Sequence, residues 1–263
     1  MNMNKIKVFL SDPQVLFREG IHFILSGEEE FEVTGETTSN EEAFTLIEAN
    51  TPHVAILSLQ SAKLNGPEVT RRIKRSQPAV SVILTMDRED ELPLYAAMKA
   101  GASACITKDT DPEVLLEIIR LVSQGRRPII EAMLMPGIAA KILADFEETS
   151  SLNEQVEHLL ADLSGKEADI LKGIAAGDNM DQLMEKQQMT EEAIRNSLKL
   201  ALNKLVSNDQ AQALIEAAQR SLPAMMRNAP KGANHAQYVT KEEFNEFKDS
   251  LMERLKSFIG ELA

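Results

Sequence analysis

The chain has no tryptophan and one cysteine, and aromatic residues make up only 4% of it. The single thiol, Cys105, excludes an internal disulfide and suits a reducing compartment. No apolar run approaches the ~18 residues that a membrane-spanning helix needs. The N-terminal MNMNKIKVFL passes straight into a strand pattern and lacks a signal-peptide layout, so a cytoplasmic protein without a membrane partner is expected. Excess positive charge is missing too. The net charge of −13 argues against a generally basic nucleic-acid binder.

What is present is 263 residues, 43% of them hydrophobic, enough for two domains and connecting segments. The acid is unevenly spread. Residues 1–127 carry −5, residues 128–162 carry −6, residues 163–215 carry −2 and residues 216–263 are balanced. The densest acid thus lies in the middle, which reads as a solvated linker.

From residue 5 to 125, short apolar runs alternate with helical patterns. The strands are KIKVFLS, FEVTGET, VAILSLQ, SVILTM and SACITK. Each is followed by an amphipathic stretch, ending with DPEVLLEIIRLVSQG. Ser39 and Glu42 have the spacing of a capping box for the second helix. Five βα units in a row predict an α/β fold, a doubly wound parallel sheet covered by helices. The working crevice of such a sheet lies at the carboxyl ends of its strands. Those ends carry Ser11 and Asp12, Ser58, Thr85 and Lys108.

The strand order, the spacing of those points and the phrase MKAGASACITKD resemble a response-regulator receiver domain. The stretch from Leu163 to Leu205, LSGKEADILKGIAAGDNMDQLMEKQQMTEEAIRNSLKLALNKL, is similar to the helix-turn-helix of the NarL/FixJ (LuxR-type) regulators. Together they imply a receiver-like domain at 1–127, a helical linker at 128–162 and an all-α helix-turn-helix domain at 163–221. Within the linker, two helices are expected, broken near Glu148–Leu152. Beyond the family pattern lie a loop at 222–237 and a C-terminal coiled-coil-like helix at 238–263. Thr240 with Glu243 and Val239 with Phe244 read as that helix's capping box and staple.

In receivers, two acids after the first strand hold Mg²⁺ and an aspartate after the third accepts a phosphoryl group. A hydroxyl residue and a lysine after the fourth and fifth strands bind that group. Carried over, the acid pair becomes Ser11 and Asp12, the acceptor becomes Ser58, and Thr85 and Lys108 are kept. The aromatic switch position falls at Cys105 or its small neighbours. A serine hydroxyl without a base is a poor nucleophile, and one carboxylate holds Mg²⁺ weakly. The resemblance therefore implies a degenerate pocket without phosphotransfer, metal, cofactor or catalytic residue. Two readings of what survives stay open: an Asp12–Lys108 ion pair with Thr85 bonded locally, or a pocket that takes another ligand. Cys105 reads as an inert core residue, or as a redox sensor.

The helix-turn-helix region predicts helices at Lys166–Ala176, Met180–Gln187, Glu191–Val206 and Asp209–Ser221, with a turn at Gln188–Thr190. Ile170, Leu171, Ile174, Leu183, Met189, Ile194, Leu198 and Leu205 have the spacing of a small core. Recognition helices enter the major groove with their early turns. Arg195 and Asn196 are candidates for base reading, Lys199 and Lys204 for phosphates, and Thr190 and Ser197 for minor contacts. Glu191, Glu192 and Asp181 oppose binding by their charge. In the tail, Phe244, Leu251, Leu255, Phe258 and Leu262 form an apolar stripe suited to pairing with a second copy.

The expected function is a phosphorylation-independent, homodimeric transcription regulator that binds double-stranded DNA and has no enzyme activity. The alternative is a protein-interaction adaptor that has lost DNA binding and engages another regulatory protein. An ordinary phosphorelay regulator using Ser58 is a third reading.

Overall fold

The structure is a computed structural model that describes residues 5–150 and 160–221. Five parallel strands, β1 (Ile6–Ser11), β2 (Phe31–Thr37), β3 (Val54–Ser58), β4 (Ser81–Met86) and β5 (Ala104–Thr107), form one sheet in the order β2-β1-β3-β4-β5. The connecting helices are α1 (Val15–Ser26), α2 (Asn40–Ala49), α3 (Gly66–Ser76) and α4 (Glu91–Lys99), and α5 (Pro112–Ser123) follows β5. This is the expected doubly wound α/β fold. The central strands β3 and β4 are buried throughout, as parallel strands covered on both faces must be.

Local chemistry sets the helix starts. Asn65 accepts from the Glu68 amide at 2.8 Å with Pro67 in the first turn, and Asp111 accepts from the Glu113 amide at 2.9 Å beside Pro112. At α2 the expected capping box does not form: Ser39 makes no side-chain cap bond. The Thr37 hydroxyl takes Glu42 instead, and also accepts from the Ser39 amide at 3.3 Å. The end of β2 therefore supplies the partner that local spacing assigned to Ser39.

Alternation along the strands sends side chains to two cores. Val8, Leu10, Ile56 and Ile83 pack under α1 and α5 with Ile21, Leu25 and Ile119. Phe9, Leu57, Val82 and Leu84 pack under α2, α3 and α4 with Ile47, Ile73 and Met98. The second core does not stop at the receiver. It continues through a 3₁₀ turn at Pro128–Leu134 and α6 (Pro136–Ser150) into the helical region.

The reading of 128–162 as a solvated linker is therefore corrected over its described part. Ile129, Met133, Ile138, Ile142 and Phe146 are buried. The acidic charge that suggested solvation sits on the other faces of these helices, where Glu131, Glu147 and Glu148 keep contact with water. The second linker helix falls largely outside the described residues.

The helical region continues with α7 (Gly165–Ala175), α8 (Met180–Gln187) and α9 (Glu191–Ser221). Ser164 and Glu167 close a capping box on α7, and Asn179 and Gln182 close one on α8. Gln188, left-handed at φ 52°, turns the chain toward α9. The expected core residues Ile170, Leu171, Ile174, Leu183, Ile194, Leu198 and Leu205 are buried, and Met189 packs against them.

A second correction concerns α9. The last two expected helices are one continuous helix of 31 residues. Ser207, Asn208 and Asp209 could break a helix by capping it. Here the latter two are occupied by tertiary partners. Asn208 brackets the backbone of Ala161, accepting at 2.8 Å and donating at 2.9 Å. Asp209 takes the Arg71 guanidinium at 2.5 and 3.1 Å.

Candidate functional site

At the carboxyl end of the sheet, β1, β3, β4 and the β5–α5 loop bring Ser11, Asp12, Ser58, Thr85 and Lys108 together. Asp12 is only 3% exposed, so its carboxylate must be compensated within the protein. Lys108 Nζ lies 3.2 Å from its Oδ1 and 3.1 Å from its Oδ2. Thr85 Oγ1 donates to Oδ2 at 3.2 Å, and the Gln14 amide donates to Oδ1 at 2.8 Å. Lys108 is also held by Asp87 at 3.2 Å and lies 5.3 Å from the Phe17 ring centre. The positive charge that compensates Asp12 is thus a side-chain ammonium shared with a second carboxylate, Asp87.

The two serines are committed elsewhere. Ser58 Oγ donates to the Gln60 carbonyl at 2.8 Å, and Ser11 Oγ donates to Asn40 Oδ1 at 3.1 Å. Asn40 Nδ2 donates in turn to the Ser58 and Leu64 carbonyls at 2.8 and 3.1 Å. Asn40 is 1% exposed and ties β1 to β3 and to the loop after it. Sequence reading missed it, because nothing local marks an asparagine opening α2 as a long-range bridge. Neither hydroxyl is bonded to a general base. Cys105 is packed against the core, and burial pushes its thiol up to about 12. That keeps it protonated and unreactive at neutral pH, which disfavours the redox-sensor reading.

The second candidate surface is the start of α9. Thr190 is its N-cap and accepts from the Ala193 amide at 3.2 Å. Ser197 donates to its own helix at the Ala193 carbonyl, 3.0 Å away. Arg195 is held by Glu191 at 2.8 Å and by Glu131 from the 3₁₀ turn. The Glu191 hydrogen bond, helped by Glu131 against partial burial, raises the guanidinium above its ordinary pKa. Lys204 reaches back to Glu167 at 2.8 Å. Burial works to raise Glu167, but Lys204 and the Ser164 backbone outweigh it and hold the carboxyl below its usual range. Asn196 and Lys199 are exposed and have no partner among the described residues. Of the six sequence candidates, these two therefore stand free, and four serve the fold or an ion pair.

A receiver-domain model, described as the response regulator receiver domain, matches residues 8–120. Over 222 residues the chain is 30% identical to the transcriptional regulatory protein DegU of Brevibacillus brevis, covering 82% of this chain and 94% of that one. The chain belongs to the NarL/FixJ-type response regulators. This response regulator is also 27% identical over 217 residues to VraR of Staphylococcus aureus strain Mu3, covering 82% of itself and 98% of the relative. Among solved structures it is similar to a LuxR-family regulator from Aurantimonas sp. SI85-9A1, at 27% identity and TM-score 0.45 over 47% of this chain and 89% of that one. It is similar as well to RcsB of Salmonella typhimurium, at 20% identity and TM-score 0.44 over 77% and 93% of the two chains. The curated relatives are named as regulators of transcription rather than as enzymes. No helix among the described residues is long and apolar enough to cross a membrane.

Proposed function

We propose that this response regulator binds double-stranded DNA as a homodimer and controls transcription without phosphoryl transfer at Ser58. The observation that carries the phosphorylation-independent part is the set of contacts that occupies Asp12 and Ser58 at the carboxyl end of the sheet. Asp12 is saturated by Lys108, Thr85 and a backbone amide, and the Ser58 proton points to a carbonyl. Phosphoryl transfer requires a nucleophile in line with the phosphorus and a divalent metal on its oxygens. Here the nucleophile is an unassisted hydroxyl, and the metal carboxylate is engaged by an ammonium. The exposed Asn196 and Lys199, on the outer face of α9 after a helix-turn-helix turn, support DNA as the partner. The test is direct. Full-length protein incubated with acetyl phosphate and Mg²⁺ keeps its intact mass, whereas a stoichiometric phosphate adduct would refute the reading.

A second reading, a protein-interaction adaptor, is favoured by one specific contact. Arg195, the best base reader by residue type, is held by Glu131 of the segment that follows the receiver. A genome-wide DNA pull-down separates the two. Enriched palindromic sites support the regulator, and none favours the adaptor. Pairing of two copies through the stripe from Phe244 to Leu262 belongs to this proposal, and those residues lie outside the described ones. The ordinary phosphorelay reading gains nothing from the geometry at Ser58.

A further inference from the structure

The receiver, the 3₁₀ turn, α6 and α9 meet along contacts laced with charge, and nearly every cation that reaches into them has an acid. Arg71 of α3 holds Asp209, Lys99 of α4 holds Asp145, Lys141 holds Glu91, and Arg195 holds Glu131. Lys74 and Arg127 are the exceptions. Lys74, near the end of α3, gives its ammonium protons to the Val80 and Pro78 carbonyls at 2.6 and 3.3 Å. Arg127, just before the 3₁₀ turn, donates from Nη1 to Asn203 of α9 at 3.1 Å. Its Nη2 is the only buried side-chain nitrogen or oxygen without a hydrogen-bond partner among the described residues. Gly101, at φ 92°, places α9 beside the same spot: a Cβ there would lie 3.3 Å from Val206 and 3.5 Å from the Lys74 stem.

Two partly buried cations at one junction without a carboxylate are costly, most of all in a chain of net charge −13 with acid to spare. Burial first, and then the charge of Arg127, lower Lys74 to about 8, and burial lowers Arg127 to about 10. The carboxyl end of the sheet shows the opposite state, since Lys108 there has two acids.

We propose that Lys74 and Arg127, with Asn203 beside them, form a binding site for a small oxyanion of the phosphate class at the junction of the receiver and α9. A tetrahedral oxyanion accepts from the planar guanidinium and from the ammonium at once. It compensates both charges, supplies the acceptor that Arg127 Nη2 lacks, and strengthens the hold of the receiver on α9. The input to this regulator then enters at the junction rather than at position 58. The site does not depend on whether α9 binds DNA.

The test compares thermal unfolding of the full chain in sodium phosphate and in sodium chloride at equal ionic strength and pH. Ligand that binds the folded state alone raises its stability, and a tenfold excess over Kd shifts Tm by roughly 3 °C in a chain of this size. That phosphate-specific shift is expected in the wild type and in Arg75→Gln, an exposed position on the same helix, and is lost in Lys74→Gln and Arg127→Gln. Should the Arg127 variant fold poorly, phosphorus-31 line broadening of inorganic phosphate by the wild type, lost in Lys74→Gln, gives the same answer. No increment over chloride, or an increment kept by the folded Lys74 variant, overturns the proposal.

Discussion

At position 58 a hydroxyl donates to the Gln60 carbonyl, where phosphoryl transfer needs a free carboxylate. Restoring the acid alone does not restore the chemistry, because Lys108 still engages Asp12 and Ser11 still faces Asn40. Ser58→Asp is therefore expected to gain less than one phosphate per chain from acetyl phosphate, read as intact mass. On α9 the free side chains carry the prediction. Lys199→Ala is expected to lower DNA affinity evenly across sequences and to reduce the salt slope by about one. Asn196→Ala is expected to cost ~1–3 kcal/mol at one base position. Both are read by binding titration at several salt concentrations, and unchanged binding in both would move the DNA face off these residues. Lys74 makes a pH prediction. Its folded pKa of about 8 lies below its ordinary 10.5, so between those values the unfolded chain binds more protons. Its contribution to stability is unfavourable below pH 8 and is relieved as the pH rises from 8 toward 10.5. Chemical denaturation of the wild type should show that rise, and Lys74→Met should flatten it.

At the scale of elements, the length of α9 decides how the two halves of the molecule are joined. A helix break at residues 207–209 would have let the end of the chain swing away from the first turns of α9. Instead Asn208 and Asp209 are buried and bonded outward, and the helix runs on to Ser221. Asn208→Ala leaves the Ala161 amide and carbonyl without their partner. Removing one side of a buried hydrogen-bonded pair costs about 1–3 kcal/mol. The variant should lose that much by urea denaturation, and should lose protection of the Ala161 amide in hydrogen exchange before the receiver opens. A loss confined to the Ala161 segment, with global stability unchanged, would mean that α9 does not depend on this anchor. The cap at α2 shows the same competition in miniature: a partner from a neighbouring strand displaced the one four residues of local sequence had suggested.

In the whole molecule, one core runs from under α3 and α4 through α6 to α7 and α9. The receiver and the helical region are thus packed together rather than strung on a tether, with the Arg71–Asp209 pair across the contact. Arg71→Ala leaves Asp209, whose side chain is 8% exposed, with a buried and unpaired charge. A loss of roughly 1.5–3 kcal/mol is expected, as for hydrogen bonds to charged groups, together with earlier proteolysis between the two regions. Denaturation and timed trypsin digestion check both, and wild-type behaviour in each would show that the pair is not what holds the contact. Association is a separate matter. Deleting residues 238–263 should shift sedimentation toward monomer with the receiver still folded, and identical sedimentation of both chains would place dimerisation elsewhere.

The βα alternation, the five-strand sheet and the positions of Ser11, Asp12, Ser58, Thr85 and Lys108 were legible in the sequence. Each rests on short-range periodicity, and a parallel doubly wound sheet brings strand ends to one edge whatever else the chain does. That β3 ends in a serine was legible as well, since it is a matter of residue type at one place. Tertiary structure decided what the survivors touch. Asn40 bridging two strands, Glu131 on Arg195, Glu167 on Lys204, Arg71 on Asp209 and Arg127 on Asn203 all arise between segments far apart in the chain. It also turned an acid-rich stretch into part of the core, because net charge along a segment does not say which face of a helix carries it. Charge and spacing act locally, whereas compensation of a buried charge depends on which distant group the fold delivers to it.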